Sequence, residues 1–208
     1  MLDDSSALRG RDFSWLATTR RFGELYWLLK SQLYFRAFFG HLGWRSKLIR
    51  PMKLDGARNI FVGDHVLVHD QVWLYAKGLE GEQSAQLVIG RGSIIGHFNH
   101  ITCVKSVDIG ESVLTADRVH ISDNSHVYED VERPILEQGV RWSGEVSIGS
   151  GTWLGEGVSV LGCRIGRHCV VGANAVVVTD VPDHCVVAGV PARIIRRYDP
   201  ATRAWQRG

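Results

Sequence analysis

The sequence predicts an all-β solenoid, a three-sided coil of short parallel strands with an N-terminal α-helical segment in front of it. Three observations support this. Between Val62 and Val181 one six-residue pattern keeps returning: an aliphatic residue, a small one, then four freer positions. Clear copies are Ile89-Gly90-Arg91-Gly92-Ser93-Ile94, Ile148-Gly149-Ser150-Gly151-Thr152-Trp153 and Val171-Gly172-Ala173-Asn174-Ala175-Val176. A sustained period of six serves neither an α-helix nor a plain hairpin sheet. It suits a coil with one hexapeptide per side, the aliphatic residue pointing inward and the small residue letting the backbone turn. Secondly, 45% of the residues are hydrophobic, enough for a core. No run approaches the ~18–20 apolar residues of a membrane-spanning helix. Thirdly, the pattern is missing from residues 1–55, so a different element is expected there.

That first segment is basic and aromatic. Residues 1–55 hold ten Lys/Arg against five Asp/Glu, a net +5; the remainder, with fourteen against seventeen, is −3. Phe13, Trp15, Phe22, Tyr26, Trp27, Tyr34 and Phe35 interleave with Arg20, Arg21, Lys30 and Arg36. From about Arg20 to Phe39 there is no proline and a single glycine, so a helix is expected. Two readings stay open. The helix packs on the solenoid or a neighbouring subunit, or residues 11–50 make a peripheral membrane contact, with aromatics at the headgroup level and cations toward anionic lipid. The density of alternation favours the membrane. Nucleic acid is not expected, because no binding motif accompanies the cations. Met1–Ser6 show no basic stretch leading into an apolar one, so no signal peptide is expected.

The six-residue register organises residues 56–182. Val62, Val68 and Leu74 are in step, and a polar loop follows at Lys77–Gln86. Ile89, Ile95 and Ile101 resume the count, which slips by two at Ile109 and runs through Thr115 and Ile121. Residues 127–145 contain no hexapeptide and read as a loop excursion from the coil. Its length is above that of most connections in compact domains, and such loops are commonly functional. Ile148, Leu154 and Val160 restart the count, and Ile165, Val171 and Val177 close it after a one-residue contraction. Residues 183–208 form a C-terminal extension, with Arg193–Tyr198 as a short strand or helix. Cys103, Cys163, Cys169 and Cys185 show no CxxC spacing and are expected to be buried free thiols in a reducing compartment.

The repeats, the segment Ile121-Ser122-Asp123-Asn124-Ser125-His126, the loop with Pro134, the run Gly151-Thr152-Trp153-Leu154-Gly155 and the ending Gly189-Val190-Pro191-Ala192-Arg193-Ile194-Ile195-Arg196 together resemble the left-handed parallel β-helix acyltransferases. Within them the chain is most similar to sugar O-acetyltransferases, including maltose, galactoside and surface-polysaccharide enzymes. The left-handed coil is what the resemblance implies, as are a homotrimer, acetyl-CoA as co-substrate and no metal. It also implies transfer of an acetyl group from acetyl-CoA to a glycan hydroxyl; the expected location is cytoplasmic, and the basic aromatic residues 11–50 point to the inner face of the membrane.

His126 matches the family's catalytic position. An imidazole titrating near neutrality can take the hydroxyl proton as the oxygen attacks the thioester and return it to the thiolate. On the acceptor side the resemblance implies Asn99, with Asp123 and Asn124 orienting the imidazole or contacting sugar hydroxyls, and Tyr128 and Gln138 as weaker candidates. Asp123 and Asn124 also suit a plain turn. For CoA it implies Trp153, Gly155, Ala173, Thr179, Arg193 and Arg196, with guanidinium groups suited to phosphate. A lysine common in the family is missing from Val178-Thr179-Asp180.

Two other readings share parts of this pattern. Hexapeptide-fold carbonic anhydrases bind metal through three histidines. For stacked coils of about 18 residues, no two of His97, His100, His120 and His126 fall in register, which argues against that reading. A non-catalytic, membrane-associated scaffold would bind no CoA.

Overall fold

The computed structural model describes residues 14–80 and 85–207, with side chains from Phe22 onward. The expectation for Met1–Ser6, and the side chains of Phe13, Trp15, Arg20 and Arg21, lie outside the described residues.

Parallel strands wind around three faces. The first face stacks His41–Leu42, Ile60–Val62, Gln86–Ile89, Ser106–Ile109, Val146–Ile148 and Arg164–Ile165. The second begins Lys47–Leu48, Leu67–Val68, Ile94–Ile95, Leu114–Thr115, Trp153–Leu154 and Val170–Val171. The third holds Lys53–Asp55, Trp73–Ala76, His100–Cys103, His120–Ser122, Ser159–Leu161 and Val176–Val177. Within most of these strands buried residues alternate with more exposed ones, so Ile60, Val62, Leu74, Ile89, Ile101, Ile121, Leu154 and Val171 form one continuous core. No single coil could bury these residues alone.

Two boundaries differ from the sequence expectation. The solenoid begins at His41 rather than at residue 56, because Leu42, Leu48 and Leu54 already point inward. It also continues past residue 182. Cys185–Ala188 pairs parallel with Val170–Val171, and only then do Arg193–Asp199 and Ala204–Arg207 extend the second face antiparallel.

The corners work differently from the simple hexapeptide rule. The small residue does not turn the chain. It lets adjacent coils touch: a Cβ on Gly90 would lie 2.4 Å from the Gly110 carbonyl carbon. The left-handed backbone falls two positions later, at Gly92, Ser112, Gly151 and Gly157, and equally at His65, Phe98, Arg118 and Asn174. Side-chain-bearing residues therefore take a conformation that glycine adopts most easily.

The N-terminal helix, α1, spans Ser14–Leu33 among the described residues and gives way to a tight turn at Phe35–Ala37, so it ends six residues earlier than expected. It is fastened to the first coil. The Gln32 side-chain amide donates to the carbonyls of Gly43 and Ser46, each at 3.0 Å, and Ser31 Oγ accepts the Leu48 N–H at 2.9 Å. Phe35 and Phe39 enter the core, so this segment covers the end of the coil. Phe22, Leu25, Tyr26, Leu29 and Leu33 stay exposed.

Candidate active site

The excursion starts where the third face turns toward the first. Strand Asn124–His126 pairs antiparallel with Val140–Trp142, His126 opposite Val140, and a short helix, α2, at Ile135–Gln138 caps the hairpin. Asp123 sets this geometry. Its carboxylate is fully buried and accepts backbone N–H groups from Val104 (2.8 Å), Lys105 (2.8 Å) and Ser106 (3.0 Å), plus the Asn124 side-chain amide (3.0 Å). The Asp123 carbonyl accepts the Ser143 N–H at 2.8 Å, tying the outgoing strand to the returning one. His126 therefore hangs from a hairpin pinned to two coils. No side chain among the described residues hydrogen-bonds its ring.

Beside His126 lies a cavity of about 450 Å³. Trp73, His100 and His120 form one wall, Asn124, Ser125 and His126 another, and Tyr75, Leu79, Val104 and Val140 the apolar side. A slightly larger opening of about 490 Å³, by Leu25, Leu28 and Leu67, lies away from this chemistry.

Several expected acceptor contacts are not where the resemblance implied. Asn99 is buried within the coil; its amide donates to Thr115 Oγ1 (2.5 Å) and accepts the Val119 N–H (2.7 Å), so it closes a corner. Asp123 is likewise internal and acts through backbone. Tyr128 is exposed beneath the Arg141 guanidinium, 5.4 Å from its ring centre, outside the cavity. Gln138 braces the loop through Asp130 and Arg133. Asn124 alone of these five faces the cavity.

The histidine register also needs correction. Ile89 pairs with Ile109, twenty residues on, and Ile148 with Ile165, seventeen on, so no coil near the site has the assumed length. His100 consequently sits directly under His120, with ring centres 5.2 Å apart, and Trp73 stacks on His100 at 4.2 Å. The two-residue slip at Ile109 was the signal for this, arising from Val104–Lys105 at the corner. Burial holds both imidazoles below the usual histidine range, with His120 adding to the effect on His100. Among the described residues no group of three His, Cys, Asp or Glu side chains is arranged to hold a metal ion.

The residues expected at CoA divide into two groups. Trp153 is exposed on the second face, Gly155 and Ala173 occupy its following corner, and Arg193 and Arg196 are exposed at the end of the same sheet. Thr179 instead follows the third face, on the corner that carries the excursion two coils earlier. Gly155 is small for a structural reason: a Cβ there would lie 2.7 Å from the Ala173 nitrogen.

No family model matches the chain. WbbJ of Escherichia coli K12, whose name assigns it provisionally to lipopolysaccharide O-acetylation, is 39% identical over 132 residues, 57% of this chain and 67% of that one. The chain belongs to the hexapeptide-repeat acyltransferase family. The galactoside O-acetyltransferase of the same organism is 37% identical over 95 residues, 45% of each chain. The chain thus spans from under half to two thirds of these relatives. Across the family's solved structures, the hexapeptide-repeat acetyltransferase VCA0836 of Vibrio cholerae, complexed with acetyl coenzyme A, matches 96% of this chain and 93% of its own. Its TM-score is 0.55 and its identity 25%. The fold is accordingly a left-handed parallel β-helix with an N-terminal helix.

Proposed function

We propose that the protein transfers an acetyl group from acetyl-CoA to a hydroxyl of a sugar or surface-polysaccharide precursor, with His126 as general base. The observation that carries this is His126 on a pinned hairpin at the mouth of a cavity sized for a sugar, in a member of this family. The acceptor oxygen bonds to the thioester carbonyl carbon while His126 takes its proton. Collapse of the tetrahedral species breaks the C–S bond, and the proton passes to sulfur, releasing CoA as a thiol. Such proton transfer contributes about 10²–10⁴-fold. Trp153, Ala173, Arg193 and Arg196 are the residues for CoA, along the second face. Acetyl-CoA-dependent thiol release with a glycan panel tests the reading, which fails if His126→Ala retains wild-type turnover.

The protein acts as a homotrimer in this proposal, in keeping with the family, with Val131 and Leu136 of the excursion, both 89% exposed, available to a neighbouring subunit. Light scattering at low concentration tests this, a monomer mass being the adverse result. The exposed face of α1, with Lys30 beside Trp27, supports a peripheral membrane contact through residues 11–50, on the side where acetyl-CoA is made. No helix among the described residues is long and apolar enough to cross a membrane. Unchanged co-sedimentation with anionic vesicles after deletion of residues 11–33 would remove this part of the proposal.

A further inference from the structure

The cavity wall formed by Trp73, His100 and His120 has a composition that the transfer chemistry does not require. The three residues are consecutive rungs of one ladder on the third face. Trp73 is held from below: its indole N–H donates to Asp55 at 3.1 Å, and the Lys53 ammonium lies 4.7 Å from its ring centre. His100 is wedged between Trp73, at an interplanar angle of 12°, and His120. Neither imidazole has a hydrogen-bond partner among the described residues, and His100 Nε2 is fully buried in that state. An unpaired buried polar nitrogen costs about 1–3 kcal/mol, so His100 Nε2 in this wall is a poor choice for stability alone.

The rest of the lining narrows what they could serve. Among the described residues, Ser122, Asn124, Ser125 and His126 are the remaining polar side chains of the lining other than Tyr75 and Thr102, and none that lines the cavity is Asp, Glu, Lys or Arg. A carboxylate or phosphate entering here would lose water and meet no counter-charge, which is costly. A neutral imidazole offers one donor and one acceptor. That pair matches a hydroxyl, which can both accept and donate. Tyr75, Leu79, Val104 and Val140 offer a surface for the C–H face of a sugar ring.

We infer that His120 binds a hydroxyl of the acceptor beside the one that His126 deprotonates, that His100 acts as its positioning residue, and that the pair selects an uncharged sugar ring over uronates and phosphosugars. This rests on the proposed acyl-transfer reading and deepens it.

The test measures kcat and KM for methyl glucoside, methyl galactoside, methyl rhamnoside and methyl glucuronide in wild type, His120→Phe and His120→Gln. Saturation-transfer NMR records binding of the same glycosides, and thermal melts confirm folding. A neutral glycoside is expected to exceed the glucuronide by about tenfold or more in kcat/KM. His120→Phe keeps a flat ring but raises the acceptor KM by about tenfold with the acetyl-CoA KM unchanged, and Gln restores part of the loss. Equal use of the glucuronide, an unchanged acceptor KM in His120→Phe, or no binding of any neutral glycoside overturns the inference. Calorimetric titration of CoA then decides separately whether the acyl-transfer reading survives, since His120 is not placed at CoA.

Discussion

The carboxylate of Asp123 receives the Val104 N–H at 2.8 Å, so the residue that introduces the His126 strand is fastened to the preceding coil's corner. Lys105 and Ser106 donate to the same group. Asp123→Ala would leave three backbone N–H groups, the buried one of Val104 among them, without this acceptor, a loss of about 3 kcal/mol. Urea unfolding would show it as a lower midpoint at unchanged slope. At temperatures where the variant stays folded, kcat should fall while the KM for acetyl-CoA holds. A midpoint within error of wild type would contradict this role.

His69, His100 and His120 are all held below the usual histidine value by burial, His69 and His100 also by a neighbouring imidazole. In the unfolded chain each is free to protonate near the ordinary value of 6.5. As pH falls below that value the unfolded state gains protons first, so stability falls and continues to fall until the folded-state values are passed. Above it these three groups contribute no pH dependence. Melting temperatures from pH 7.5 to 5 should therefore decline in wild type and decline less steeply in His120→Gln. Parallel curves would count against it.

Gly155 has no space for a side chain. In Gly155→Ala the new Cβ meets backbone atoms, the Ala173 nitrogen at 2.7 Å and the Val171 oxygen at 2.9 Å, so the coils must part. The expected loss is about 1–3 kcal/mol, typical of overpacking. Ala173→Gly, at an exposed corner, should cost less. Thermal melts of the pair would compare the two directly, and equal losses would contradict this account.

All four cysteines are buried and free, and burial pushes Cys103 up to about 12 and Cys163 up to about 11. The thiolate is the reactive form, so these groups should be inert. Ellman's reagent at pH 8 should label the folded protein slowly and the denatured protein fully, and iodoacetamide treatment should spare acetyl transfer. Rapid labelling with loss of activity would assign a thiol to the mechanism.

The core was legible because Ile89, Ile148, Leu154 and Val171 are aliphatic at a fixed interval and point inward in every coil. The first coil was obscured by Trp44 and Arg45, large residues at the corner after Leu42-Gly43, although Leu48 keeps the interval. Coil length was legible only as the two-residue slip at Ile109, since corners absorb extra residues such as Val104–Lys105 without disturbing the faces. That hid the His100–His120 ladder. The excursion and His126 could be read from the break in the pattern, whereas the placement of Asn99 and Asp123 could not. A polar residue at a corner can face solvent or satisfy the backbone of the next coil, and these two do the latter.

The most direct test of the central claim is the acceptor-dependent release of free thiol from acetyl-CoA by wild type and His126→Ala, with both variants shown to bind CoA equally by calorimetry. Release by wild type that drops about 10²-fold or more in the variant, at unchanged CoA affinity, is the predicted result. Equal rates in the two proteins would contradict His126 as the base.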